Sequence, residues 1–478
     1  LYLAVLFVET NSMADTQKPI ALERFIIDAS AFIWNVPILA LLLGGGIFFM
    51  FYARFSPFRY FWHGVAILRG KYDNPDDPGE ISHFQALSAA LAATVGMGNI
   101  SGVAVAITTG GPGALFWMWV SAFIGMATKF FTCTLAVMYR GRDTQGQPEG
   151  GPMYVITEGL GQQWRPLAVF FAIAGLFGAT PMFQANQFTQ VLRDMVLIPQ
   201  GLSNAESHFY SDLLTGLALV VLVSGVIFGG IKVIARQAER LVPMMVLLYV
   251  LTVVYILITH WAQVPACFAL IFHDAFTGQA VLGGAVGEVI RTGVRRAAFS
   301  NEAGIGTAPM MHGAAKTSEP VREGLVAMLG PVIDTLIVCT MTALAILVTG
   351  VWQQKGANGI SLTAQAFDQA IPDLGSWLLL LCAMVFSITT LFSYSYYGVK
   401  CLSFLIGARY KQRYNYFYIA TIILGAVGSI EGVLSFIDLM YALMAIPTMV
   451  SALILAPKVR QASQVYFDKL RRQELRHR

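Results

Sequence analysis

Charge is scarce in this sequence: Asp, Glu, Lys and Arg make up 12% of 478 residues, against about 25% in a soluble domain. No polar stretch is long enough for a separate water-soluble domain. Cysteine is sparse as well. Cys133, Cys267, Cys339, Cys382 and Cys401 show no paired spacing and four lie in apolar runs, which excludes a disulfide frame and a metal site. The seven histidines (His63, His83, His208, His260, His273, His312 and His477) are scattered. No His/Cys/carboxylate grouping has the spacing of a metal centre or a nucleophile–base set, which speaks against a membrane-embedded enzyme. The missing Walker motif argues against a primary pump. The short alternating segments of a transmembrane barrel are absent too. The apolar stretch from Leu1 through Val8 is too short to span and lacks a basic n-region, so either Met13 is the start or Leu1 is an alternative start read literally.

What is present is hydrophobic residue, 56% of the chain, at a mean hydropathy of +0.63. The runs are continuous, and the sequence predicts an all-α polytopic membrane protein. Candidate spans lie at about 31–53, 84–108, 114–138, 167–194, 213–230, 241–260, 266–290, 325–350, 376–402, 415–430 and 432–456. Lys and Arg concentrate in every second loop. Arg54, Arg59, Arg69 and Lys71 follow the first span, Arg140 and Arg142 the third, and Lys232, Arg236 and Arg240 the fifth. Arg291, Arg295, Arg296, Lys316 and Arg322 follow the seventh, Lys400, Arg409, Lys411 and Arg413 the ninth, and a basic tail the last. The positive-inside rule then predicts an external N-terminus and a cytoplasmic C-terminus.

The stretch Ala92-Ala93-Thr94-Val95-Gly96-Met97-Gly98-Asn99-Ile100-Ser101-Gly102 interrupts the second span. Each glycine costs about 1 kcal/mol of helix propensity relative to Ala. Non-helical backbone at membrane depth is tolerated only where it is buried in protein or lines a cavity. The stretch therefore reads as a broken helix whose freed N–H and C=O groups hold a ligand; glycines alone fit close helix packing equally well. If this span opens a set of five ending near His260, the next five are inverted. Their first span carries its own break at Gly283-Gly284, with Gly287 nearby. The predicted organisation is an N-terminal segment with one extra span over 1–83, repeats over 84–260 and 261–457, and a basic tail over 458–478.

Two more segments stand out. Glu149-Gly150-Gly151-Pro152-Met153-Tyr154 reads either as a re-entrant loop or as a structured turn. Arg295 to Pro309 is cytoplasmic by charge, and its Arg296 and Glu302 are candidates for a gate that pairs when closed. Asp334 and Asp438 lie inside spans, where a carboxylate either carries protons or pairs with buried polar groups.

Gly110-Gly111-Pro112-Gly113-Ala114-Leu115-Phe116-Trp117-Met118-Trp119-Val120-Ser121-Ala122-Phe123-Ile124-Gly125 resembles the signature of the alanine/glycine:cation symporter family. The Gly-Asn-Ile-Ser-Gly segment, Glu149 to Tyr154 and Phe299 to Pro309 resemble other blocks of that family, and the resemblance runs from about Phe84 to Pro447. It implies the amino acid–polyamine–organocation superfamily and a leucine-transporter-like five-plus-five inverted repeat, with one additional N-terminal helix and about eleven spans. It implies sodium-coupled import of a small neutral amino acid such as alanine or glycine across a bacterial plasma membrane, with no other cofactor. By the same likeness the backbone around Thr94, Gly96, Gly98 and Asn99 holds the substrate, with Gly283 and Gly284 at the matching break and Gln184 accepting from the substrate ammonium. Sodium is implied to bind the carbonyls of Ala92 and Val95 and the hydroxyls of Thr389 and Thr390; back-bonding to their own helix is the other reading of such hydroxyls. Ser393-Tyr394 departs from the family's Gly-Trp beside the pocket, so the resemblance leaves strict alanine/glycine selectivity open. Two further readings remain at this point: proton coupling through Asp334 or Asp438, and a channel. Oligomeric state is not readable.

Overall fold

The computed structural model describes residues 21–476, apart from 205, 278–285 and 355. Helices α1 (Ala21–Ile33) and α2 (Val36–Tyr52) form a first span bent by 49°. Next come α3 (His83–Thr94), α4 (Met97–Gly110), α5 (Ala114–Met138), α6 (Arg165–Gly178), α7 (Met182–Leu192), α8 (Phe209–Ile227) and α9 (Gly230–Thr259). The second half holds α10 (Val264–Thr277), α11 (Val286–Asn301), α12 (Thr307–His312), α13 (Pro320–Thr349), α14 (Ile360–Ala370), α15 (Gly375–Ile406), α16 (Arg413–Val427) and α17 (Ile430–Arg476). Among the described residues, seven helices are long and apolar enough to cross a membrane. The bent pairs α1/α2 and α3/α4 meet the same test jointly, giving up to nine.

The seventh span differs from the expected 266–290. Asp274 Oδ2 accepts the Gly113 N–H at 2.7 Å and Trp117 Nε1 donates to the Ala275 carbonyl, so the C-terminal end of α10 lies at the start of α5. Its other end follows directly on α9, and the helix therefore stays on one side. The crossing belongs to α11 and α12, with residues 302–306 between them. Glu302, Gly304 and Gly306 all have positive φ there, of 54°, 86° and 111°. Gly283 and Gly284, where the second break is expected, lie outside the described residues.

Most of the basic loops do collect on one side. Arg140 donates to the carbonyls of Gly313, Ala315, Thr317 and Pro78, Thr144 accepts from the Ala408 N–H, and Lys469 reaches Glu319. Arg291, Arg295 and Arg296 are the exception. They lie within α11, paired with Glu288 or with Asp438 of α17, so they do not mark a loop. Loop charges report topology only where they are solvated; partners on the same or a distant helix remove that signal.

A capping box starts α3: Ser82 Oγ accepts the Gln85 N–H and Gln85 Oε1 accepts the Ser82 N–H. The helix stops at Thr94, and α4 departs at 42°. The N-terminal half α3 packs on α12, while α4 packs on α11. The two interrupted spans thus lie side by side and run in opposite directions. Around them α5 packs on α11 and α13, α6 on α17, and α9 on α3 and α15.

Close approach of α11 to α5 depends on Gly293, where an added Cβ would stand 2.5 Å from the Ala114 carbonyl and 2.6 Å from Trp117 Cβ. Around Gly102 in α4 a Cβ would meet nothing within 4 Å. Gly293→Ala should lower stability by about 1–3 kcal/mol through overpacking, whereas Gly102→Ala should be neutral or gain the helix propensity of alanine. Thermal unfolding of both variants in detergent checks this, and equal behaviour would show that the α11–α5 contact is not limiting.

Candidate functional site

At the first break the Gly96 N–H does not return to the Ala92 carbonyl. It donates to Asn99 Oδ1 at 2.9 Å, closing a local cap over the start of α4. The carbonyl end of α3 and the N–H end of α4 therefore face each other across Val95 and Gly96. Helix ends leave unpaired groups and partial charges of this kind. The requirement for glycine at 96 is steric, because a Cβ would collide with Thr390 Oγ1 of α15. That hydroxyl donates to the Phe386 carbonyl at 2.9 Å, and its lone pairs remain at the break. Thr389 donates to the Val385 and Phe386 carbonyls and lies against Met245 Sδ of α9. Of the two threonines, the structure brings Thr390 to the break.

The three N–H groups expected around the substrate fare differently. The Thr94 N–H is within the last turn of α3 and the Gly96 N–H is taken by Asn99, while Gly98 sits in the open first turn of α4. A Cβ at Gly98 would be 3.2 Å from the Phe299 ring, and Phe299 packs on Phe183 of α7 and Tyr441 of α17. Asn99 is engaged at both ends of its amide: its Nδ2 donates to Ser300 Oγ and to the Asp334 carbonyl, each at 3.2 Å. It ties the two breaks together and is not free for a ligand. Gln184 is buried with no partner at Oε1, whereas Asn186 binds the carbonyls of Gly425 and Gly428 as helix–helix glue.

The second break is braced by Glu302, 1% exposed. Thr307 Oγ1 and the hydroxyls of Tyr394 and Tyr441 all donate to its carboxylate, the last at 3.0 Å. The expected Arg296–Glu302 pair does not form in this structure. Arg296 donates to Asp438 and stands over the Phe299 ring at 5.2 Å, while the backbone at Glu302 aims its side chain toward α12, α15 and α17. Asp438 also accepts from Arg295, which donates in turn to Ser30 of α1; Trp34, in the turn after α1, donates to the Asp438 carbonyl.

Between the breaks lies Asp334, fully buried in a π-helical stretch of α13. Ser300 and Thr335 donate to its Oδ1; its Oδ2 and the approaching Thr94 Oγ1 lack a hydrogen-bond partner. Lys129 of α5 is buried nearby, forms no ion pair within 4 Å among the described residues, and interacts through space with both Asp334 and Glu302. Two carboxyl groups and one amine thus share this centre, and the carboxyl and hydroxyl oxygens are hard ligands of the kind that suits a small cation. Lys129, Ser300, Thr335 and Tyr441 are not among the residues expected from sequence. A lysine inside an apolar span was the available signal for the first; the others differ little from ordinary membrane hydroxyls.

Residues 20–478 match the family model described as the sodium:alanine symporter family. An uncharacterized transporter of Haemophilus influenzae is 39% identical over 459 residues, covering 94% of this chain and 97% of that one. The sodium/alanine symporter AgcS of Methanococcus maripaludis is 37% identical over 453 residues, covering 94% and 98%. In fold the chain is similar to the crystal structure of MhsT in complex with L-phenylalanine, with a TM-score of 0.57 and 14% identity over 81% of this chain and 99% of that one. That likeness establishes a leucine-transporter-type fold.

The brace at the second break makes a quantitative expectation. Tyr394→Phe and Glu302→Gln, alone and combined, should show a coupling energy of about 0.5–3 kcal/mol in a double-mutant cycle on thermal or denaturant unfolding. Additive effects would mean that the phenol and the carboxylate do not stabilise each other.

Proposed function

This chain belongs to the sodium:alanine symporter family, a family of membrane transporters and not of enzymes, and on that premise we propose that it imports a small neutral amino acid such as alanine or glycine with sodium by alternating access. The observation that carries this reading is the pair of interrupted spans packed antiparallel on each other, with helix ends and oxygen ligands at their breaks. The substrate carboxylate is placed at the open N-terminal turn of α4 beside Gly98, where the ends of N–H groups attract an anion. Phe299, Phe183 and Tyr394 bound the space for its side chain. Gln184 Oε1 accepts from its ammonium group. Sodium takes the Ala92 and Val95 carbonyls with the Thr390 hydroxyl, and Asp334 with Thr94 supplies negative charge and oxygens on the other face of the break.

The first repeat corresponds to 84–260. The second opens functionally with α11 and α12, so the stretch from 261 to the start of α11 serves as its connector. The basic side is assigned to the cytoplasm of a bacterial cell and the N-terminus to the outside. Because Tyr394 spends its hydroxyl on Glu302, it bounds the pocket by its ring, and serine is expected among the accepted substrates.

Uptake of labelled alanine and glycine into proteoliposomes, with sodium and proton gradients imposed separately, tests the reading. Sodium alone should drive accumulation, and uptake driven only by protons would refute sodium coupling. Losing one oxygen ligand to a charge costs about 1.5–3 kcal/mol, so Thr390→Ala should raise the half-saturating sodium concentration about tenfold or more, with a smaller change for Thr389→Ala.

A further inference from the structure

Away from the breaks, on the basic side, α3, α12 and α13 meet at three buried titratable side chains. His83 is the first residue of α3, His312 the last of α12, and Glu323 lies in the first turn of α13; none is more than 1% exposed. Nδ1 of His83 faces Glu323 Oε2 and Nδ1 of His312 faces Oε1, so one carboxylate is held by two imidazoles from two half-helices. Nε2 of His312 has no hydrogen-bond partner among the described residues, and an imidazolium there would bury an unpaired N–H. His312 is therefore assigned as the neutral Nδ1–H form. His83 has Asp73 as a second acidic neighbour and Arg322 opposing. Arg140 and Cys133 face Glu323, and Glu239 of α9 accepts from Gln85 two residues beyond His83. The chain before α3 is stitched to the chain after α12 as well: the Glu80 N–H donates to the Ala314 carbonyl at 2.8 Å and the Lys316 N–H to the Ile81 carbonyl at 2.7 Å.

We propose that His83, Glu323 and His312 form a proton-binding latch that holds α3 and α12 shut against α13 on the basic side. It rests on the alternating-access reading, since α3 and α12 are the half-helices that would part when this side opens. A proton on His83 turns the hydrogen bond between a neutral imidazole and the Glu323 carboxylate into an ion pair in a water-poor site, where such a pair is strong. Opening separates the imidazole from the carboxylate, and the proton passes to water. Acid therefore favours closure on this side, and alkali favours opening. His312 contributes a donor to the carboxylate.

A native reporter lies behind the latch. Cys133 of α5 is fully buried in a small packed group with Ala308 of α12 and Ala327 of α13, one turn from His312 and one turn from Glu323. Parting α12 from α13 would uncover it. The test is maleimide labelling of full-length protein in nanodiscs, with Cys267, Cys339, Cys382 and Cys401 replaced by alanine. Glu323→Gln should raise the labelling rate of Cys133 by about tenfold, because a buried pair has been broken. His83→Gln keeps a donor but cannot titrate. The ratio of its rate to that of the reporter protein, in which the thiol's own ionisation cancels, should change between about pH 6 and 8, where imidazole titrates. Thermal unfolding and chromatography establish that each variant is folded; if Glu323→Gln is not, the His83→Gln ratio decides. A labelling rate unchanged in Glu323→Gln, or a ratio flat with pH, overturns the latch. Labelling needs no transport, so sodium-driven uptake by the same reporter protein judges the transport reading separately.

Discussion

Backbone N–H and C=O groups cannot be left unpaired at membrane depth, and the arrangement of this protein follows from where it breaks that rule locally. Besides the bent first span, two of the described spans abandon helical geometry in the core, one at Val95–Gly96 and one at 302–306. Each break has to be surrounded by protein that supplies partners. Asn99 Oδ1 does this for the Gly96 N–H at the first, and at the second Asn301 Oδ1 accepts the Ala303 N–H and Thr448 donates to the Ile305 carbonyl, while side-chain bonds among Asn99, Ser300, Asp334, Glu302, Tyr394 and Tyr441 brace the surroundings. Helices α5, α13 and α15 are therefore fixed around them, and the remaining helices enclose that set.

Charge inside the protein follows the same logic. Asp438 is buried and balanced by two arginines of α11, Glu323 is hydrogen-bonded by two imidazoles, and Glu149 meets Lys400. The centre differs, because Asp334, Glu302 and Lys129 interact through space without a direct ion pair among the described residues. A buried charge is expensive unless it is paired, so carboxyl oxygens held there are ones to which a cation can contribute stability. The two interrupted spans are tied together beside it by the Asn99–Ser300 hydrogen bond.

Much of this was legible in sequence. Composition gave the class, glycine with polar residues located the first break, and the Phe-Trp-Met-Trp block pointed to the family. The seventh span was misplaced for a physical reason. An apolar run at 266–290 satisfies the length of a span, but α10 is held to one side by Asp274 and Trp117 through contacts with α5 some 158–161 residues earlier. Arg295 and Arg296 of α11 looked like part of a loop because their partner, Asp438, is more than 140 residues away. Likewise nothing local distinguishes Thr390 from Thr389. Only the packing of α15 on Gly96 does.

The cap at Gly96 has a consequence in time. As a chain emerges and inserts from its N-terminus, the first break enters the membrane long before Ser300 and Asp334, which lie 201 and 235 residues further on, have been synthesised. The Gly96 N–H has a partner regardless, because Asn99 is only three residues away. The newborn interruption carries its own provisional closure, and the distant halves of the molecule inherit a bend already made rather than having to impose one.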